Sequence, residues 1–152
     1  MSVTVRLALT VYLAIIAFYD LKFQIIPNWL TLPVMAGALF WQFRESQWVA
    51  FSVLPFWLGA FALWLAGLYG GGDAKLLMAL FALWPRTDFL LVEAGLSLLI
   101  GIPLLIWKYR GKPWPEAARS FQQALEQKQG GYPYPWGAVY ALGGIIFAWL
   151  SV

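Results

Sequence analysis

Residues 70–85, "GGGDAKLLMALFALWP", decide how many times this chain runs from one end of its fold to the other. As an α-helix the apolar part, 74–85, rises about 18 Å, well short of the roughly 30 Å of a bilayer's hydrocarbon core. By length alone it is a half-span. Five other apolar segments surround it, at about 3–21, 28–43, 48–69, 89–107 and 133–152. If all six cross, Lys22, Lys75, Lys108, Arg110, Lys112, Arg119 and Lys128 share one side, leaving Arg6, Arg44 and Arg86 on the other. If the fourth does not cross, the basic 108–128 loop falls opposite Lys22 and Lys75 and the asymmetry dissolves. The positive-inside rule selects the first arrangement, with both chain ends outside and loops one, three and five in the cytoplasm.

Composition supports a membrane-embedded chain. Of 152 residues, 62% are hydrophobic, 11% are charged and ten are Trp, more apolar surface than a water-soluble core of this size can hide. The expected fold class is all-α, a single polytopic domain over 1–152 with six transmembrane helices. The absence of Cys and His excludes disulfides, thiolate zinc sites and Ser-His-Asp or Cys-His centres, leaving carboxylates, Lys, Tyr and hydroxyls as candidate catalysts. No metal, cofactor or nucleic-acid partner is expected; the lipid bilayer is. The first twenty residues carry one basic residue and no small-x-small cleavage pattern, and read as a retained span. The polar insert at about 108–132 has Pro115 at a helix start, Gly130 and Gly131 at a stop, and Trp114, Ala118, Phe121 and Leu125 on one face. It reads as a short amphipathic helix on the cytoplasmic leaflet, or equally as a solvated linker helix.

Topology sorts the acidic residues. Glu45 and Asp88 fall in outside turns as solvated charges, and Glu93, a few residues into the fifth span, either snorkels outward or pairs with Arg86. Asp20 and Asp73 lie where spans meet the cytoplasmic interface, and ionisable residues at such depth are functional candidates. Asp73 also suits an N-cap of the fourth helix. Capping alone does not require Gly70, Gly71 and Gly72, which make sense where backbone must approach another backbone or a substrate strand. Asp20 sits in the last turn of the first span, where the helix dipole disfavours an anion and nothing nearby in sequence compensates. Two carboxylates sharing one proton can act as base and acid on a water that attacks a peptide carbonyl.

These stretches resemble the type IV prepilin leader peptidases. "YDLKFQIIPNWLTLP", with Asp20 ahead of Ile26-Pro27-Asn28, is similar to that family's first aspartate motif, and "GGGDAKLLMALFALW" to its second, G-x-G-D, at Gly70, Gly72 and Asp73. "YPYPWGAVYALGG" is similar to the stretch that often opens the last span. The resemblance implies a membrane aspartyl endopeptidase, with Asp20 and Asp73 as the catalytic pair, that removes the basic leader of prepilins or pseudopilins on the cytoplasmic side of the inner (plasma) membrane. Longer members carry a tetracysteine zinc insert and also N-methylate their product; this chain has neither the insert nor Cys, and is closer to the short form serving Flp-type (tight-adherence) pili. An archaeal preflagellin peptidase is a related reading, and a small transporter or proton relay the alternative from another class. Lys22 and Lys75 read as topology charges near anionic lipid, Pro27 as the start of the second span, and Asn28 as a cap or brace. The scissile segment is expected near Gly70–Gly72. Helix polarity assigns Asp73 as base and Asp20 as proton donor.

Overall fold

The computed structural model describes residues 1–45, 51–66, 70–110, 113, 115–116 and 136–150. Six helices account for almost all of them: α1 (Val3–Phe23), α2 (Asn28–Glu45), α3 (Val53–Leu65), α4 (Gly71–Leu83), α5 (Thr87–Tyr109) and α6 (Trp136–Leu150). Among the described residues there is no strand, and the all-α class is observed. Most of the insert at 108–132, including Ala118, Phe121 and Leu125, lies outside the described residues.

The fourth segment is the centre of the bundle. Asp73, Ala74, Leu76, Leu77, Ala79, Leu80, Phe81 and Ala82 are all buried, so α4 is covered around most of its circumference. A helix that is apolar all round belongs inside, and "AKLLMALFAL" shows no polar stripe. α2 and α3 pack on α4, α1 and α5 pack on α6, and α4 meets α6. Gly144 allows the last contact: a Cβ there would lie 2.9 Å from Leu13 Cδ1 and 3.1 Å from Leu80 Cδ2, so its missing side chain lets α1, α4 and α6 converge.

Named contacts give the direction of each helix. Lys75 meets Asn28 and Gln42 Nε2 donates to the Ala82 carbonyl at 3.3 Å, so α2 runs parallel to α4. Trp57 Nε1 donates to the Met78 carbonyl at 2.7 Å while Trp64 faces Gly71, so α3 runs against it. Asp20 meets Ala138 and Thr10 meets Trp149, so α1 opposes α6. Phe89 meets Phe147 and Gly101 meets Trp136, so α5 opposes α6 as well. With α4 and α6 sharing both ends, through Asp73 beside Gly137 and Trp84 on Phe147, the six helices alternate in direction. The fourth segment therefore runs the full way through the bundle despite its 13 residues. Lys22, Lys75 and Arg110 fall at one end, and Arg6, Arg44 and Arg86 at the other.

α1 is long and apolar enough to cross a bilayer by length and composition, whereas α3 and α6 are apolar but shorter, at 13 and 15 residues. The outward faces are nonetheless greasy: Val11, Leu58, Leu91, Leu99 and Trp107 are all exposed. The end of the bundle away from Asp20 is closed by aromatic rings. Phe81, Trp84, Phe89 and Phe147 meet edge-on or tilted with centroids 5.0 to 5.5 Å apart, and Phe56 stacks on Phe81.

Candidate functional site

At the opposite end, α1 stops at Gln24, whose φ of 53° and ψ of 30° put it in the left-handed region; its N–H returns to the Asp20 carbonyl at 2.9 Å. That reversal carries Ile26 back under the first turn of α4. A Cβ on Gly72 would stand 3.2 Å from Ile26 Cβ and 3.4 Å from Ile26 N. The close backbone approach expected of these glycines is thus made by the chain's own α1–α2 turn. Gly71 is less crowded, with the Trp64 indole nitrogen 3.5 Å from where its Cβ would be. Gly70 is the extended residue that caps α4.

Asp73 is not the N-cap that its sequence position suggests. Glycine permits the helix to begin earlier, at Gly71, and Asp73 occupies the third helical position, its Oδ2 accepting from the Gly70 N–H at 3.2 Å. This is the carboxylate half of a capping box. Asp20 and Asp73 are both buried, 4% and 6% exposed, and close enough for the charge of one to act on the other.

The feature that sequence reasoning missed is at the other end of the chain. Asp20 Oδ2 accepts from the Ala138 N–H at 2.9 Å, and the Gly137 N–H lies close enough to act on both carboxylates. Gly137 and Ala138 are the second and third residues of α6, whose amides have no partner within the helix. Asp20 therefore caps α6 from the end of α1. The anion at a helix C-terminus, an unfavourable placement along the sequence, is offset by the N-terminus of another helix. Both aspartates face helix-terminal amides, so the polarity argument that made one the base and the other the acid no longer separates them. The Pro-Trp-Gly of the last motif was the available signal, and only tertiary contact shows its use.

The remaining site candidates divide. Asn28 opens α2 and its Oδ1 accepts from Lys75 Nζ at 2.8 Å, clamping the start of α2 to the first turn of α4. Lys75 is thereby a brace two residues from Asp73, in addition to any role as a topology charge. Pro27 immediately precedes α2, which opens at Asn28, and its carbonyl accepts from Leu30 N at 3.0 Å. Lys22 does not join the carboxylates; it is exposed, with its ammonium over the rings of Phe18 and Phe23. Glu93 neither snorkels nor pairs with Arg86. Arg86 pairs with Asp88, while Glu93 is buried against Gly143 with no hydrogen-bond partner among the described residues on either carboxyl oxygen.

Two buried carboxylates that converge from separate helices onto one shared amide form the kind of centre an aspartyl peptidase uses. The model of the type IV leader peptidase family matches residues 7–106, two thirds of the chain and both aspartates, and the chain belongs to that family. No curated protein and no solved structure matches it. The match ends before α6, so Gly137 and Ala138 lie beyond it.

Proposed function

We propose that this protein is a membrane aspartyl endopeptidase that cleaves the basic leader from prepilins or pseudopilins, with Asp20 and Asp73 as its catalytic residues. One observation carries the reading: α1 and α4 deliver their two carboxylates to the first turn of α6, where the Gly137 amide acts on both, in a chain of the leader peptidase family. Two buried carboxyl groups close enough to feel each other's charge hold one proton between them, because a second negative charge in a buried site is costly. The ionised member takes a proton from water, the water attacks the scissile carbonyl, and the protonated member donates to the carbonyl oxygen; as the C–N bond breaks, the member that took water's proton passes it to the leaving amine and the other recovers a proton from the tetrahedral hydroxyl. No cofactor enters these steps.

The alternation of helices and the exposed apolar faces of α1, α3 and α5 favour a bundle that crosses the membrane six times. A monomer in water rarely leaves so much contiguous apolar surface bare. Lys22, Lys75 and Arg110 at the carboxylate end favour a cytoplasmic active site and chain ends outside. The family supplies the substrate, a basic leader followed by an apolar helix, and that placement suits it: the leader remains on the cytoplasmic side and the helix lies along the spans. The reading is limited to peptide cleavage, without N-methylation. Co-expression with a candidate prepilin tests it; the pilin should shift to a shorter form with the wild type and remain full-length with Asp20→Asn or Asp73→Asn at equal membrane levels. Processing by either variant at the wild-type rate would remove the aspartyl mechanism.

A further inference from the structure

Gly137 stands where a side chain would crowd Asp20. A Cβ there would lie 3.1 Å from both Cγ and Oδ2 of Asp20, and closer still to Ile26 Cδ1. The Ile26 methyl is the far end of a flexible side chain and can turn aside. The Asp20 carboxyl cannot move without losing the Ala138 N–H at 2.9 Å and its place beside Asp73. The same glycine supplies the one amide that acts on both carboxylates. Its role differs from that of Gly144, seven residues further along α6, which meets only the apolar side chains of Leu13 and Leu80.

We infer that the first turn of α6 is a third part of the active site, in which Gly137 and Ala138 are positioning residues: their amides hold Asp20 and Asp73 in register for one shared proton, and the bare Cα of Gly137 leaves room for that pairing. The inference rests on the peptidase reading and assigns that site a component from outside the family match. The chemistry explains why amides serve. A backbone N–H neither titrates nor competes as a base, so it fixes carboxyl oxygens without adding a third ionisable group. An α6 first turn has these donors free, because they have no carbonyl four residues earlier in the same helix.

Two variants perturb the arrangement by different routes. Gly137→Ala pushes Asp20 by a few tenths of an ångström while replacing glycine with a better helix former, so α6 itself is not weakened. Ala138→Pro removes the hydrogen donated to Asp20 and adds nothing at position 137, and proline is tolerated in a first helical turn. Gly144→Ala is the comparator for packing loss. Each is made in the full chain, reconstituted in nanodiscs of phosphatidylethanolamine and phosphatidylglycerol, and assayed with a synthetic peptide carrying a basic leader and an apolar segment. Infrared spectra of carbon-13 aspartate-labelled protein are recorded on the same samples. Gly137→Ala and Ala138→Pro should each lower kcat by about tenfold to a hundredfold, the cost of a sub-ångström to ångström misplacement, with KM changed less than about twofold. Both should displace the aspartate carboxyl bands and the pH–rate profile, whereas Gly144→Ala should leave bands and profile in place. Unmoved bands in both first-turn variants, or a kcat loss that Gly144→Ala reproduces at equal thermal stability, would overturn the inference while cleavage by the wild type leaves the peptidase reading standing. If the wild type cleaves no leader peptide, the peptidase reading fails, and the infrared bands alone then decide for or against the positioning role.

Discussion

Asp20 and Glu93 are buried to nearly the same degree, 4% and 3% exposed, and each carboxyl rests against a glycine of α6. Around Asp20 there are a donated amide from Ala138, a second from Gly137 shared with Asp73, and a partner carboxylate. Around Glu93 there is the backbone of Gly143 and, among the described residues, no donor to either oxygen. Burial alone thus does not distinguish the two acids. Convergence of donors and of a second acid does, and it is found at Asp20 and not, among the described residues, at Glu93.

The comparison breaks most decisively at the aspartates. Asp20→Asn and Asp73→Asn should each lower leader cleavage by at least about a thousandfold, since members of a unit that acts jointly are grossly non-additive, while thermal unfolding in detergent changes little. At Glu93 the opposite pattern is expected. Glu93→Met keeps the side-chain length and deletes two unsatisfied oxygens, so the variant should cleave normally and gain about 1–3 kcal/mol of stability by denaturant or thermal unfolding. A Glu93→Met variant that folds well but cleaves nothing would place Glu93 among the working acids and collapse the contrast.

Gly72 sharpens the same comparison on the glycine side. With Ile26 Cβ 3.2 Å from its absent Cβ, Gly72→Ala should cost about 1–3 kcal/mol, the range for overpacking, and activity should fall in step with stability. Trimming Ile26 to Ala in the same chain should recover part of both. Activity lost at full stability would instead make Gly72 a substrate contact, as its sequence setting first indicated. The Lys75–Asn28 clamp is partly exposed, and Asn28→Ala should cost only about 0.5–1 kcal/mol with modest loss of turnover. The smallest effect is expected at Gln24, where Gln24→Gly relieves a left-handed backbone and should raise stability by up to about 1 kcal/mol without altering cleavage.

The helices and the two aspartates as candidates were legible because each leaves a local trace. Apolar runs mark helices, and an acid beside glycines in such a chain is conspicuous; the central place of α4 was not read from its sequence, which drew attention only to its short length. The α6 amides were not legible. Ala138 is 118 residues from Asp20, and no local pattern announces that the N-terminus of the last helix cancels an unfavourable charge at the end of the first. Gly72 was readable as a close approach, but its partner Ile26 was not, since the return of the chain depends on the left-handed Gln24. The position of Asp73 slipped by three residues from cap to interior because glycine lets a helix start early. Glu93 was misplaced for a related reason: a nearby Arg86 looked like a partner, and the structure gives that arginine to Asp88.

The central claim is that Asp20 and Asp73 act as one unit and Glu93 stands apart from it. Cleavage of one basic-leader peptide, timed by mass spectrometry in nanodiscs, should be compared for the wild type, Asp20→Asn, Asp73→Asn, the Asp20→Asn/Asp73→Asn double variant and Glu93→Met. The account predicts that both single aspartate variants fall to the same residual rate as the double variant, with Glu93→Met at the wild-type rate. Losses that multiply in the double variant, or a single aspartate variant that keeps near-normal turnover, would contradict it.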